Sequence, residues 1–214
     1  MKKVLVLLVV AALATMSQAE VITSFVNLDF DEGGVTTPGP FKGFDAPDAP
    51  EIEGWTNYPA GPLNDAGVEA ADVGWWLTGY GNENAGFMSS GDAAYNMSSY
   101  TIQAEDVYYI SFDAMHWQWL GAGEWTATLF YDDPANVIGS FVQGDLPDNG
   151  TWQSYSDEIG IAATPESVGG TLGILMTSSG AAISQFDELS VNVVPEPATM
   201  ALLGLGALIL RRKK

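Results

Sequence analysis

Val107-Tyr-Tyr-Ile-Ser-Phe-Asp-Ala-Met115 decides the fold class. Tyr108, Ile110, Phe112 and Ala114 fall on one side by strict alternation, and Tyr109, Ser111 and Asp113 fall on the other. A period of two is the mark of a half-buried strand. Trp125-Thr-Ala-Thr-Leu-Phe-Tyr131 repeats it, with Trp125, Ala127, Leu129 and Tyr131 together. Working outward, further strands are expected at 25–30, 74–77, 137–142, 152–159, 171–177 and 183–194. Turn chemistry separates them at Asp132-Asp-Pro134, Pro147-Asp-Asn-Gly150 and Ser178-Ser-Gly180. Between residues 20 and 194 no stretch carries a helical apolar stripe. Short strands divided by Gly, Pro and Asp turns predict an all-β, antiparallel β-sandwich or barrel.

Residues 33–72 differ. Six of the eleven prolines lie there, at positions 38, 40, 47, 50, 59 and 62, among Gly, Ala and acids. This composition predicts an extended loop region with one short strand near Trp55.

The 214 residues contain no cysteine, which removes disulfides and thiolate chemistry, and a single histidine, His116. One histidine excludes a two-histidine metal site. Seven Lys+Arg against 27 Asp+Glu give a net charge of −20, the wrong sign for neutralising nucleic-acid phosphates. A hydrophobic content of 47%, with 11% aromatic, is enough for a packed core and excludes general disorder.

Both ends read as addresses. Met1-Lys2-Lys3 precedes the apolar run from Val4 to Leu13, and small residues stand at Ser17 and Ala19. That is a secretory signal peptide, cut by signal peptidase between Ala19 and Glu20. The competing reading, a membrane span, fails on length: ten helical residues cover about 15 Å, half a bilayer core. At the other end, Val194-Pro195-Glu196-Pro197-Ala198-Thr199 is followed by an apolar run from Met200 to Leu210 and by Arg211-Arg-Lys-Lys214. Two prolines end strand pairing. A short apolar helix with a basic stop then makes a weak anchor, giving transient membrane association with the cations inside. The expected organisation is therefore 1–19 signal peptide, 20–194 β-sandwich and 195–214 sorting or anchor segment, with a hydrophobic helix flanking the body at each end.

Val194 to Thr199, the Gly-containing apolar run and the basic end resemble the PEP-CTERM sorting signal of Gram-negative bacteria. The resemblance implies export, recognition by an exosortase, and delivery to the cell surface, the outer membrane or an extracellular matrix in organisms that make exopolysaccharide. It says nothing of what the body binds.

The body, residues 20–194, keeps 26 of the 27 acids and only one cation, Lys42. Such charge keeps a chain soluble and monomeric at the cost of self-repulsion. Two readings stand: a salt-adapted acidic surface, or bound divalent cations. Asn27-Leu-Asp-Phe-Asp31, Gly54-Trp55, Tyr109-Ile-Ser-Phe-Asp113 and Phe186-Asp-Glu-Leu-Ser190 resemble the jelly-roll sandwich of galactose-binding-like and carbohydrate-binding modules.

Three chemistries bear on these residues. Alternation in the last strand puts Asp187 on one side with Ile183, Leu189, Val191 and Val193. A charge among apolar positions needs a partner. Asp29 and Asp31 end the first strand, which the jelly-roll resemblance sets near the last. A structural Ca²⁺ held by Asp29, Asp31, Asp187 and Glu188 is one expectation, and a solvated acidic edge is the other. Trp76, Tyr80, Trp117 and Trp119 are the candidate sugar-stacking residues, with core packing as the competing role. No nucleophile elbow, Walker loop, dinucleotide fingerprint or EF-hand loop is present. The expected protein is thus a non-catalytic, exported surface or matrix component associating with neutral polysaccharide. A glycan hydrolase or lyase with an unrecognised carboxylate pair is the alternative.

Overall fold

The stretch from Val107 becomes a central strand. The computed structural model describes residues 19–31, 42–43, 52–58, 66–70, 84–116, 123–144, 151–180 and 183–195. The strands, in chain order, are β1 (Glu20–Val21), β2 (Lys42–Gly43), β3 (Trp55–Asn57), β4 (Ala66–Ala70), β5 (Asn84–Ser89), β6 (Ala93–Thr101) and β7 (Val107–His116). They continue as β8 (Gly123–Tyr131), β9 (Asp133–Gln143), β10 (Gln153–Ser156), β11 (Ile161–Ala162), β12 (Thr171–Gly180) and β13 (Ile183–Val194). No helix occurs among the described residues. The two flanking hydrophobic segments lie outside them.

Two antiparallel sheets result. One has eight strands in the order β10-β7-β13-β5-β4-β2, with β1 on β13 and β11 on β7. The other has five, β3-β6-β12-β8-β9. Apolar side chains of the two inner faces meet between them. From the eight-stranded sheet come Tyr108, Ile110, Phe112, Phe186 and Val191. The five-stranded sheet supplies Trp55, Trp125, Ala127, Leu129, Ile174 and Met176. At the centre Trp125 packs on Phe186 with ring centroids 4.6 Å apart, and Phe30 stacks on Trp55 at 5.4 Å.

Several expectations need correction. Residues 25–30 form no strand: Asn27 and Phe30 have φ of 55° and 56°, outside the β region. Their carbonyls are satisfied by side chains instead. Trp55 Nε1 donates to Asn27 O at 2.9 Å, Asn96 Nδ2 to Val26 O at 2.7 Å, and Asn84 Nδ2 to Phe30 O at 3.3 Å. Ser178 to Gly180 do not turn but continue β12, opposite Trp125, Glu124 and Gly123. The strand expected at 152–159 holds only over β10: Asp157 N still donates to Ile110 O at 2.8 Å, and its Oδ1 then accepts the Ile159 amide at 2.9 Å, which turns the chain.

β4, β5 and β6 have no counterpart in the sequence reading, and β4, with β2, forms inside the 33–72 stretch expected to be loop apart from the strand near Trp55. In β6 the inward positions after Ala94 are Asn96 and Ser98, which breaks the apolar alternation. Both are buried and both donate to main-chain carbonyls, Ser98 Oγ to Leu172 O at 2.7 Å. The expected strand at 74–77 and the turn at 147–150 lie outside the described residues.

The last strand carries the correction that matters most. Its register against β7 runs Phe186↔Ala114 and Asp187↔Asp113, then slips to Ser190↔Ser111 and Val191↔Ile110. This bulge inserts a residue, with Glu188 at φ 50°, and so reverses which parity faces inward. Leu189, Val191 and Val193 point to the core. Asp187 shares the opposite face with Gln185, where simple alternation had grouped it with the three apolar residues.

Candidate functional site

On the outer face of the eight-stranded sheet, antiparallel register lines side chains into rows. Phe87 of β5, Gln185 of β13 and Met115 of β7 make one row. Asp187, Asp113 and Ser154 of β10 make the next. Beyond the bulge come Ser190, Ser111 and Ser156, then Asn192 and Tyr109. Directly opposed side chains in such rows have Cβ atoms about 4.5–5.5 Å apart.

Burial sets this face apart. Gln185 is 0% exposed, Asp187 1%, Met115 1% and Phe87 1%, although none of them faces the core between the sheets. Polar side chains are seldom buried this completely, and a carboxylate less often still. Asp187 Oδ1 accepts the Glu188 amide at 2.8 Å, so the bulge holds the carboxylate in place. What the strip presents to solvent is its partly exposed portion: the Asp113 carboxylate, the hydroxyls of Ser111, Ser154, Ser156 and Ser190, the Asn192 amide and the Tyr109 ring. Such a mixture suits polyhydroxylated molecules: hydroxyls take the polar groups, and C–H surfaces take the apolar ones.

The outer face of the five-stranded sheet is different. Thr56, Tyr95, Leu175, Thr128 and Ser140 form one row across β3, β6, β12, β8 and β9. Met97, Gly173, Phe130 and Val137 form the next. Tyr58, Tyr95, Phe130, Leu175 and Met97 pack there as a small cluster of their own. Tyr95 meets Phe130 edge-on at 5.8 Å and Tyr58 at 6.4 Å.

A second polar feature lies where β6 passes into β7. Asp106, fully buried, accepts the hydroxyls of Tyr100 at 2.9 Å and Tyr108 at 3.0 Å on Oδ2, and the Gln103 amide at 2.8 Å. Burial foremost, reinforced by the Asp106 carboxylate, pushes both phenols well above the usual tyrosine range. Burial also raises Tyr155.

The expected residues distribute as follows. Asp29 and Asp31 sit in an exposed turn, Asp187 is buried on the outer face, and Glu188 is exposed at the bulge. Among the described residues no three Asp, Glu or His gather into a group able to hold a metal ion, so the four carboxylates expected for Ca²⁺ form no cation cage. Trp76, Tyr80, Trp117 and Trp119 lie outside the described residues. Their segments join the described sheet at Ala70 and Asn84, and at His116 and Gly123. Asp113 and Gln185 were not singled out as site residues. Asp113 was legible as an outward residue of its strand, whereas Gln185 acquires its role only through the bulge.

Ala19 is exposed and irregular, and β1 begins at the next residue, Glu20. At the far end Val194 still pairs with Val107, Pro195 is half-buried, and Glu196, Pro197, Ala198 and Thr199 lie outside the described residues. Residues 193–214 match the PEP-CTERM protein-sorting motif. The chain ends in a PEP-CTERM sorting signal. The signal marks an exported, surface-sorted protein and an exosortase substrate.

No curated protein matches the chain. Among solved structures it is similar to the Stig cyclase Fisc from Fischerella sp. TAU in complex with (3Z)-3-(1-methyl-2-pyrrolidinylidene)-3H-indole. The identity is 18%, over 84% of this chain and 99% of that one, with a TM-score of 0.61. It is similar to the arabinose-bound α-L-arabinofuranosidase MgGH51 at 16% identity, over 82% of this chain and 26% of that one, with a TM-score of 0.50. The CBM22-1 xylan-binding domain of Paenibacillus barcinonensis Xyn10C follows at 14% identity, over 83% and 97%, with a TM-score of 0.48. At such identities the likeness is one of fold alone.

Proposed function

We propose that this PEP-CTERM protein is a non-catalytic component of the cell surface or extracellular matrix of a Gram-negative bacterium. Its sandwich associates with neutral polysaccharide along the outer face of the eight-stranded sheet. The observation that carries the reading is the polar strip of that face, where Asp113, Ser154, Ser111, Ser190, Asn192 and Tyr109 are reached by solvent in register rows beside the buried Asp187 and Gln185. A neutral glycan is favoured because the body's 26 acids oppose an anionic one. Membrane association is transient, through the apolar tail, and ends when exosortase acts.

Native affinity electrophoresis through gels containing neutral or acidic polysaccharides tests this. Retardation by a neutral glycan is expected, with most of it lost in Asp113→Asn and in Tyr109→Ala. No retardation by any neutral glycan, or equal retardation of folded variants, contradicts the reading.

The Asp113–Asp187 pair supports a second reading. Register opposition sets the Cβ atoms of the pair about 4.5–5.5 Å apart, and a retaining glycosidase needs two carboxyl groups roughly 5–5.5 Å apart. Reducing-sugar release from the retarding glycan, abolished by Asp113→Asn or Asp187→Asn, would favour a hydrolase over a binder.

A further inference from the structure

Both ends of the folded body leave it side by side. Glu20 pairs with Val193, and Val194 pairs with Val107. The pole where they emerge is closed by residues 102–106 between β6 and β7, by Asp132 between β8 and β9, and by residues 163–170 before β12. Main-chain bonds knit these together, Ile102 N to Gly170 O at 3.0 Å and Asp132 N to Thr171 O at 2.9 Å. At the opposite pole lie Ser90 and Gly91, which link β5 to β6, and the strand ends His116, Gly123 and Ile183. β13 has 12 residues, which at about 3.3 Å each puts the poles roughly 40 Å apart.

No free spacer separates the last paired residue from the sorting signal. Five residues, from Pro195 to Thr199, join Val194 to the apolar run beginning at Met200. Fully extended they reach roughly 18 Å, less than half the distance between poles, and Pro195 and Pro197 stiffen them. The signal peptide departs beside them, at Ala19.

We infer that, while an apolar end is attached, the sandwich stands on the bilayer on its Glu20–Val194 pole and holds the Ser90 pole outward. The inference rests on the sorting reading and adds an orientation to it. The membrane-side pole exposes Glu20, Glu105, Asp132, Asp133 and Glu166, and the only cation of the body, Lys42, belongs to β2. Anionic headgroups repel these acids, but screening confines the repulsion to about 8 Å at physiological salt. The Pro-Glu-Pro segment is long enough to hold the acids beyond that range. The body is thus held close without lying flush.

The absence of cysteine makes the test direct. Ala104→Cys and Ser90→Cys place single thiols at exposed turn positions of the two poles. The full chain carrying either thiol, labelled with bimane, is associated with vesicles of phosphatidylethanolamine and phosphatidylglycerol containing a headgroup-nitroxide lipid, then floated. Both variants are expected to float, with bimane at Ala104→Cys losing most of its emission and bimane at Ser90→Cys keeping it. Equal quenching, or stronger quenching at Ser90→Cys, overturns the orientation and leaves the sorting reading standing. Failure of either chain to float overturns both.

Discussion

Phe130 of β8 lies over Gly173 of β12, filling on the outer face of the five-stranded sheet the space that a side chain at 173 would need. The two are register partners, Phe130 is fully buried, and a Cβ on Gly173 would run into its ring. This glycine is chosen for close approach and not for a turn.

Gly173→Ala is accordingly expected to destabilise the sandwich by about 1–3 kcal/mol through overpacking. Phe130→Ala should cost about 3–5 kcal/mol through the cavity it leaves. In the double variant the alanine at 173 enters that cavity, so the double falls well short of the sum. A double-mutant cycle by urea unfolding checks this, and plain additivity would refute the contact.

Alkaline pH is expected to unfold the protein through its tyrosines. Folding raises Tyr100 and Tyr108 by burial and by the Asp106 carboxylate, and raises Tyr155 by burial. The unfolded value is about 10, and a folded value above it means that the unfolded chain releases protons first. The contribution is whole below about pH 10 and is lost as pH climbs past it. Near-ultraviolet phenolate absorbance should therefore show these tyrosines ionising only together with loss of the fold. Asp106→Ala, which strands the Tyr108 hydroxyl in the interior, should lower stability by about 1–3 kcal/mol at neutral pH.

The bulge in β13 predicts two opposite outcomes at one position. Glu188 adopts positive φ, where glycine is at least as comfortable, so Glu188→Gly should change stability by less than about 1 kcal/mol. Glu188→Val places a β-branched residue at that φ, a strained conformation, and should cost about 1–3 kcal/mol. Circular dichroism and thermal melting of the two variants decide it.

Where alternation was clean the sequence was legible. The stretches through Tyr108 and Trp125, and much of the last strand, became β7, β8 and β13. β6 escaped because Asn96 and Ser98 occupy inward positions and are made acceptable only by carbonyls distant in the chain, those of Val26 and Leu172, and β5 because it is buried on both faces and so shows no alternation. The strand expected at 25–30 failed for the complementary reason: its carbonyls are met by side chains, and two residues sit at positive φ. Asp187 reads from the sequence as a charge needing a partner, but alternation puts it on the inner face and the bulge puts it on the outer one. A single inserted residue reverses parity, and composition carries no trace of that slip. The sorting signal, in contrast, is local and needs no tertiary context to be read.

The central claim is that the acidic sandwich is exported and trimmed at both ends. Intact-mass analysis of the protein recovered from the envelope and medium of its native host tests this most directly. The account predicts a chain that begins at Glu20 and lacks the basic end Arg211 to Lys214. Recovery of the untrimmed chain, residues 1–214, from the cytosol would contradict it.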